Sequence, residues 1–329
     1  FVPRLLKHLY ENDNLTLQQQ SSTASGEESG EPTPTPPSSF LFSHLLKLFK
    51  TVTQSVFSME QWVLMHTAHN GNQIPADIKT YKEITPPKDR FWADPCAITH
   101  NNHNYIFIEE LIFKKKKAHI SVMEVDANGK TTTPQLVLEK SYHLSYPFIF
   151  KDGDEMYMMP ETSGNNTIEL YQCKNFPNEW QHTMNLMENI HAVDATIHFQ
   201  NNKYWLFVNL RENKGASDWD ELFIFYADNL LTQNWQPHKN NPVISDVRTS
   251  RPAGKIFSAQ GKLYRPSQDC SCAYGYAINI NEIIELSETA FKEKRITAIR
   301  PWQKNIIATH TFFNTGNFCV IDVKKKRRK

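Results

Sequence analysis

The stretch Ala93-Asp-Pro-Cys-Ala-Ile98 (ADPCAI) is the first copy of a degenerate pattern that decides the fold of this chain. Each copy begins at one residue that opens a short apolar strand, and a polar turn such as residues 100–104 follows that strand. A second strand rich in aromatic residues follows the turn, and a third strand comes after it. The opening residues, separated by 52, 48, 57 and 59 positions, are Asp94, Tyr146, Asp194, Arg251 and His310.

A repeat of about 50 residues that holds three or four strands is typical of a propeller blade. We therefore predict an all-β chain in which residues 62–323 form a five-bladed β-propeller. The last repeat runs out at Val323, short of its outer strands, and we predict that residues 62–68 (WVLMHTA) complete it from the N-terminal side. Residues 282–292 are the stretch of the repeat region whose pattern looks most helical.

The flanking segments have a different composition. Residues 1–39 are mostly Gln, Ser, Thr, Glu, Gly and Pro, which predicts a disordered linker after the tail of an upstream domain. Residues 40–61 carry leucines at helical spacing but also Lys47 and Lys50, which favours a short amphipathic helix over a membrane span. Residues 324–329 predict a solvated basic tail.

Charge and motifs narrow the function. The formal net charge is +1, so no overall field favours nucleic acid, and we predict no nucleic-acid partner. The five irregularly spaced cysteines favour reduced thiols in a cytoplasmic protein, with membrane contact limited to the helix of residues 40–61. The chain has no phosphate-binding loop, dinucleotide fingerprint or zinc-protease motif, so we predict neither a metal nor a cofactor.

The matched positions of the repeats predict a site. The first strand of each blade lines the central channel, so the five opening residues should meet at one mouth as a polar funnel. Sugar transfer or hydrolysis needs two carboxylates, and the catalytic candidates are Asp94, Glu161 and Asp194. Glu161 is one of the predicted second-strand ends, with Glu109, Asn209 and Arg265. The predicted substrate-binding residues are Trp92, Glu109, Tyr146, Asn209, Arg251, Arg265, Asp269 and His310. The alternative is a purely structural ring of ion pairs.

A set of short motifs makes the sequence resemble one family. These are FWADP (91–95), YIFIEEL (105–111), HISVME (119–124), LSYPF (144–148), MPET (159–162), VDAT (193–196), FYAD (225–228), SRPAG (250–254), RPSQDCS (265–271) and YGYA (274–277). Together they resemble the N-terminal propeller domain of plant glucosamine inositolphosphorylceramide transferases and its bacterial relatives.

The resemblance implies a propeller of the kind shared by arabinanase-like and invertase-like glycosidases. In those enzymes a blade-opening Asp, often followed by Pro, acts as base or nucleophile, and Asp94-Pro95 matches it. Their second blade commonly opens with an acid, where this chain has Tyr146, and their proton donor is a Glu from another blade. The resemblance also implies a separate C-terminal sugar-transferring module in the plant proteins and an upstream formyltransferase-like domain in some bacterial ones.

Three functional hypotheses follow. The first is a carbohydrate-active propeller that acts in glycan or glycolipid assembly, by glycosyl transfer or glycosidase-like chemistry on a carbohydrate or sugar-phosphate ligand. The second is a non-catalytic module that recognises a glycan or nucleotide sugar for a fused or partner transferase. The third is a protein-interaction propeller, which ranks last because the matched positions are so strongly acidic and basic.

Overall fold

The computed structural model describes residues 58–68, 74, 78–213 and 215–329. Within them the chain is almost entirely β-structure, with two single 3-10 turns at Ile78–Thr80 and Ser163–Asn165. Neither the length nor the apolar character of any helix in this part of the chain suffices to cross a lipid bilayer. The strands, in chain order, are β1 (Ser58–Ala68), β2 (Lys82–Ile84), β3 (Arg90–His100), β4 (His103–Ile112), β5 (Ala118–Val125), β6 (Gln135–Leu138), β7 (Ser145–Asp152), β8 (Glu155–Thr162), β9 (Thr167–Asn175), β10 (Glu179–Glu188), β11 (Ala192–Gln200), β12 (Lys203–Leu210), β13 (Glu221–Ala227), β14 (Gln236–Pro237), β15 (Ile244–Ser245), β16 (Phe257–Ala259), β17 (Lys262–Asp269), β18 (Ala277–Leu286), β19 (Phe291–Ile299), β20 (Ile306–Asn314) and β21 (Phe318–Arg328).

These strands form five antiparallel sheets, each a blade. Blade I has the order β3-β4-β5-β6, blade II β7-β8-β9-β10, blade III β11-β12-β13-β14 with β15 also on β13, and blade IV β16-β17-β18-β19. Blade V has the order β20-β21-β1-β2. The predicted five-bladed propeller is therefore confirmed, and so is the position of the N-terminal strand as an outer strand of the last blade.

The edges of the ring differ from the predicted boundaries. Strand β21 continues to Arg328, so the prediction of a separate basic tail from Lys324 is wrong: Lys324 pairs with Glu60 of β1 at 2.9 Å. Residues 58–61 belong to β1 rather than to a helix. The rest of the predicted amphipathic helix and the predicted linker of residues 1–39 lie outside the described residues. Residues 282–292 are not helical, because β18 and β19 meet there in a hairpin.

Polar turns join the first and second strand of each blade. A two-residue hairpin turn that matches strand twist needs positive φ at both central positions, which Asn and Gly tolerate best. Three of the five turns meet this requirement with a pair of adjacent left-handed residues. These pairs are Asn101-Asn102 (φ 50° and 64°), Asn201-Asn202 (55° and 57°) and Gln260-Gly261 (51° and 73°).

The hydrophobic core lies between the blades. Phe148 of blade II packs on Phe313 of blade V with ring centroids 5.9 Å apart, and Phe107 of blade I packs on Trp180 of blade II at 5.7 Å. Phe107, Phe148 and Phe313 are almost fully buried, and each such ring contributes about 1.5–3 kcal/mol by leaving water. The first contact joins two blades that are not adjacent in the ring, and the second joins the adjacent blades I and II. Both contacts help to hold the innermost strands around one axis.

Candidate functional site

The opening residues of the first three blades share an unusual backbone. Asp94, Tyr146 and Asp194 have φ angles of 49°, 41° and 52°, in the left-handed region that residues other than glycine rarely adopt. The register between the first two strands slips at each of them, as it does at His310 in blade V. A β-bulge of this kind redirects a side chain. Here it is repeated around the ring, and the redirected groups meet one another.

Asp94 links blade I to both of its neighbours. One carboxylate oxygen accepts a hydrogen bond from Thr311 Oγ1 at 2.8 Å and lies 3.4 Å from Nδ1 of His310, both on blade V. The other oxygen accepts a hydrogen bond from the main-chain N–H of Tyr146, on blade II, at 3.2 Å. The Asp94 side chain is buried and held by donors from two directions.

His310 extends this network to the rim of the funnel. Its Nδ1 lies 2.8 Å from Oδ2 of Asp322 and its Nε2 lies 2.7 Å from the hydroxyl of Tyr274. Burial opposes protonation of His310, but the carboxylates of Asp322 and Asp94 outweigh it and raise the pKa to about 9. At neutral pH both ring nitrogens therefore carry protons and donate, which leaves the Tyr274 O–H free to donate outward.

Asp194 is held by blade IV. Arg251 Nε donates to its Oδ2 at 2.5 Å, and Gln268 Nε2 donates to the same oxygen at 2.9 Å. Both partners of the ion pair are buried. Burial raises the pKa of Asp194 to about 7, Glu161 and Asp94 add to this, and the Arg251 guanidinium opposes it.

Glu109 connects the buried groups to solvent. Its Oε1 lies 2.9 Å from Nε2 of His143, whose side chain is 44% exposed. Burial raises the pKa of Glu109 to about 7, and the neighbouring Asp94 adds to the shift. The hydrogen bond that His143 donates to Glu109 raises the pKa of His143 in turn. The pair can therefore hold a proton near neutral pH and exchange it with water.

Glu161 is the more accessible acid. It is partly exposed, its Oε1 accepts a hydrogen bond from Ser163 Oγ at 2.8 Å, and its Oε2 accepts one from the Asp194 N–H at 3.3 Å. Burial raises its pKa against the opposing effect of Arg251, and Asp94 contributes. We call Asp94, Glu109, Glu161 and Asp194 the carboxylate cluster. Burial and mutual repulsion raise the pKa of three members, Glu109, Glu161 and Asp194, so the cluster can hold a proton near neutral pH, as acid–base chemistry requires.

Aromatic side chains rim the cluster. The ring of Trp62, from β1, lies 4.8 Å from that of His310, and the ring of Trp219 lies 5.6 Å from that of Tyr274. The Arg251 guanidinium stands 4.9 Å over the Tyr274 ring. Trp219 and Tyr274 are 36% and 37% exposed. Exposed rings with a polar edge offer flat faces for a sugar next to the carboxylates.

Two predicted site residues have structural partners instead. Trp92 is buried and donates through Nε1 to Glu110 at 3.1 Å. Arg265 is buried and donates twice to Glu293 at 2.8 Å. The prediction that Arg265 ends the second strand of blade IV is wrong, because β17 continues to Asp269. The first strand of this blade carries two extra residues relative to β17, and these displace the repeat alignment from the true strand end.

The other predicted residues keep their positions on the innermost two strands. Asp269 accepts hydrogen bonds from the N–H and the hydroxyl of Ser271. Tyr146 is buried, and its hydroxyl bonds with that of Thr196 at 2.8 Å. Asn209 is fully buried, and neither amide atom has a hydrogen-bond partner among the described residues.

One group of residues in the network has the spacing of a metal site. Among the described residues, Asp94, His310 and Asp322 each place one ligand atom within 4.8 Å of the others. At neutral pH the protonated imidazole already supplies the positive charge between the two carboxylates. A metal ion bound by the same three residues would have to displace that proton.

Sequence reasoning missed several members of the site. Gln268 and Tyr274 lie inside motifs that resemble the family but carry no repeat signal of their own. His143 stands in a loop before β7, outside the aligned strands. Trp62 comes from β1, at the far end of the chain from His310. Only Asp322 had an available signal, since it is an acid inside the apolar run of β21.

Comparisons with known proteins identify the family of this chain. A family model described as the N-terminal region of glucosamine inositolphosphorylceramide transferase 1 matches residues 77–314. A protein of that name from Arabidopsis thaliana is 32% identical over 209 residues, which cover 63% of this chain and 27% of the relative. Its namesake from Oryza sativa subsp. japonica is 31% identical over 206 residues, with 62% and 27% covered. The chain thus matches about a quarter of the length of these relatives.

Solved structures with a similar fold are glycoside hydrolases. A GH43 β-xylosidase/α-arabinofuranosidase from a compost metagenome superposes with a TM-score of 0.54 at 12% identity, covering 74% of this chain and 92% of that one. A family 117 glycoside hydrolase of Zobellia galactanivorans gives 0.53 at 9% identity, with 81% and 90% covered. At these identities the likeness concerns the fold alone.

Proposed function

The chain belongs to the family of the N-terminal region of glucosamine inositolphosphorylceramide transferase 1, and from that premise we propose that its propeller acts on carbohydrate in glycan or glycolipid assembly. The reaction class is glycosyl transfer or glycosidase-like cleavage. The plant relatives are named as transferases of a glycolipid, and the solved propellers of similar fold are named as glycosidases. Both names point to sugar chemistry.

The observation that carries the proposal is the carboxylate cluster. Glycosyl chemistry needs one carboxyl group to give a proton to the leaving oxygen and another to act as base or nucleophile. In the cluster, burial and mutual repulsion raise the pKa of Glu109 and Asp194 to about 7 and raise that of Glu161. An acid and a carboxylate can therefore coexist at neutral pH beside exposed aromatic rings.

The contacts suggest a division of roles. Asp94 is the principal carboxylate, held by Thr311, His310 and the Tyr146 N–H. Glu161 is the second, because it is the partly exposed acid, whereas Asp194 is occupied by Arg251. Glu109 with His143 supplies a route for the proton to solvent.

The ligand and the location follow from the same chemistry. Tyr274 and Trp219 would face a sugar, and the Arg251 guanidinium beside them favours a ligand with a phosphate or hydroxyl edge. Five free cysteines suit the cytoplasm, and a glycolipid substrate would bring the protein to a membrane surface. No step in this scheme requires a metal or a cofactor.

A second candidate is a recognition module without catalysis, serving a fused or partner transferase. The buried ion pair of Arg251 with Asp194 favours it, because one acid of the cluster is neutralised by a fixed cation. The match to about a quarter of the transferases' length also suits a module that assists another domain.

The test is a screen of the purified chain against glycans, glycolipid headgroups and sugar nucleotides, with binding and turnover measured in parallel. Asp94→Asn and Glu161→Gln should lower turnover by about 10²-fold or more while leaving affinity within a fewfold. Glu155→Gln, at the opposite end of β8 from Glu161, is the matched control and should change neither.

Each outcome separates the candidates. Turnover that depends on Asp94 and Glu161 supports catalysis. Binding without turnover, weakened by Trp219→Ala or Tyr274→Phe, supports the recognition module. Binding and turnover that ignore all four substitutions would refute the site.

A further inference from the structure

A second cavity lies at the opposite end of the innermost strands from the carboxylate cluster. It has a volume of about 380 Å³ and is built by blades II to V. We call it the far-mouth cavity. Its lining includes Lys151, Asp152, His198, Phe199, Lys255 and Asn314. This volume is at the small end of the range for ligand sites, which suits a compound with a single ring.

Lys255 places a positive charge inside this mouth. Lys255 comes from blade IV. Burial lowers the pKa of His198 on blade III, and the Lys255 ammonium adds to that shift. Burial raises the pKa of Cys96 on blade I, and the same ammonium opposes that shift. The Lys255 side chain is exposed and lines the cavity. Among the described residues no carboxylate forms an ion pair with it or with Lys151, and the nearby Asp152 accepts a hydrogen bond from Tyr204 at 2.7 Å.

Two further groups give the cavity the features of a ligand site. The Nε2 atom of His198 is buried and has no hydrogen-bond partner in the described part of the chain. Burial lowers the pKa of His198 to about 4, so it is neutral and can donate or accept a hydrogen bond. Phe199 is 53% exposed and packs on Tyr204 with ring centroids 4.7 Å apart, leaving a flat apolar face open.

We propose that the far-mouth cavity binds a small phosphate monoester, with the phosphate on Lys255 and Lys151 and the attached ring over Phe199. Two lysines without an ion-pair partner supply charge-assisted hydrogen bonds to phosphate oxygens, and lysine is a common phosphate ligand. The Nε2 atom of His198, whose pKa the nearby Gln200 side chain raises against the effect of burial, provides one directional hydrogen bond to the same ligand. This site is separate from the carboxylate cluster and does not depend on its function.

Calorimetric titration of the full chain tests the proposal, with glucose 6-phosphate, inorganic phosphate and glucose as probes. Glucose 6-phosphate should bind, glucose should not, and added salt should weaken the binding. Lys255→Gln should weaken it by about tenfold or more through loss of a charged hydrogen bond. Lys262→Gln, on the same blade and paired with Glu282, is the matched control and should leave affinity unchanged.

Two further variants decide the outcome, with thermal unfolding confirming that each is folded. Phe199→Ala should weaken glucose 6-phosphate and leave inorganic phosphate unaffected. If inorganic phosphate binds as tightly as the ester and Phe199→Ala changes neither, the site takes free phosphate and the ester is refuted. If Asp94→Asn abolishes ester binding while Lys255→Gln does not, the phosphate belongs at the carboxylate cluster and the proposal is overturned.

Discussion

Replacing Arg251 by Met tests the electrostatic core of the site. Arg251 Nε lies 2.5 Å from Asp194 Oδ2, and both side chains are buried. Methionine keeps the unbranched stem and fills most of the space but removes the charge. Asp194 is then left with the Gln268 amide at 2.9 Å as its remaining side-chain donor. Stranding a buried charge in this way costs about 3–5 kcal/mol of unfolding free energy.

The cost should depend on pH in a defined direction. The pKa of Asp194 is about 7 with Arg251 present, and loss of the guanidinium raises it further. A carboxyl whose folded pKa exceeds its unfolded pKa lets the folded state bind more protons, so stability falls as pH rises through the folded pKa. The penalty of Arg251→Met is therefore expected to be larger at pH 8 than at pH 5.5, where Asp194 is protonated, and to reach its full value only above the raised pKa of Asp194 in the variant.

The assay is equilibrium denaturation at both pH values for Arg251→Met, Asp194→Asn and the double variant. Asparagine can still accept the hydrogen bond from Gln268 without carrying a charge. The double variant should therefore lose less than Arg251→Met alone, with a coupling energy of at least about 2 kcal/mol at pH 8. Additive losses, or an equal penalty at both pH values, would refute the reasoning.

Three other predictions concern stability. Gly254→Ala should cost more than about 3 kcal/mol of unfolding free energy, because the new Cβ would lie 1.9 Å from the Phe312 carbonyl oxygen at a φ of +130°. Gly261→Ala, whose Cβ would have no atom within 4 Å, should cost about 1 kcal/mol. Thermal unfolding of the two variants tests this difference. Asn209→Leu should raise the denaturation midpoint by removing an unpaired buried amide, and a lower midpoint would indicate a partner for that amide. Glu109→Gln should reduce the loss of stability between pH 5.5 and pH 8. Glu109 has a pKa of about 7 and His143 a raised pKa, so both groups release protons from the folded state in this range. An equal loss of stability in the variant and the wild type, measured by denaturation at the two pH values, would contradict this.

Much of the architecture was predictable because the blades repeat. The spacing of the opening residues gave five blades, and the bulges at Asp94, Asp194 and His310 follow the same alignment. Inserted residues shift such an alignment. The two extra residues in the first strand of blade IV explain why the alignment predicts Arg265 at the strand end where the structure has Asp269. Contacts between non-repeating segments, such as Trp62 on His310, leave no periodic trace in one sequence.

Electrostatics was the least predictable part of the site. Residue type alone could not say that Arg251 neutralises Asp194 while Glu161 stays partly exposed. Asp194 opens a first strand and Glu161 ends a second strand, and their difference comes from the neighbouring blade IV, which places the Arg251 guanidinium on Asp194. That information appears only when the blades are packed together.

The shared sheet of blade V has a consequence for the order of folding. Arg327 on β21 hydrogen-bonds Gln61 on β1 although the two residues are 266 positions apart. Strand pairings between residues so far apart in sequence form late, because the entropy cost of closing a long loop comes before any stabilising contact can offset it. During synthesis β1 therefore emerges before the other propeller strands, and apart from the short β2 it has no sheet partner until β21 has left the ribosome. The last strand of the propeller is the partner of its first strand, and chaperone demand or the damage from truncation of β21 should concentrate at this step.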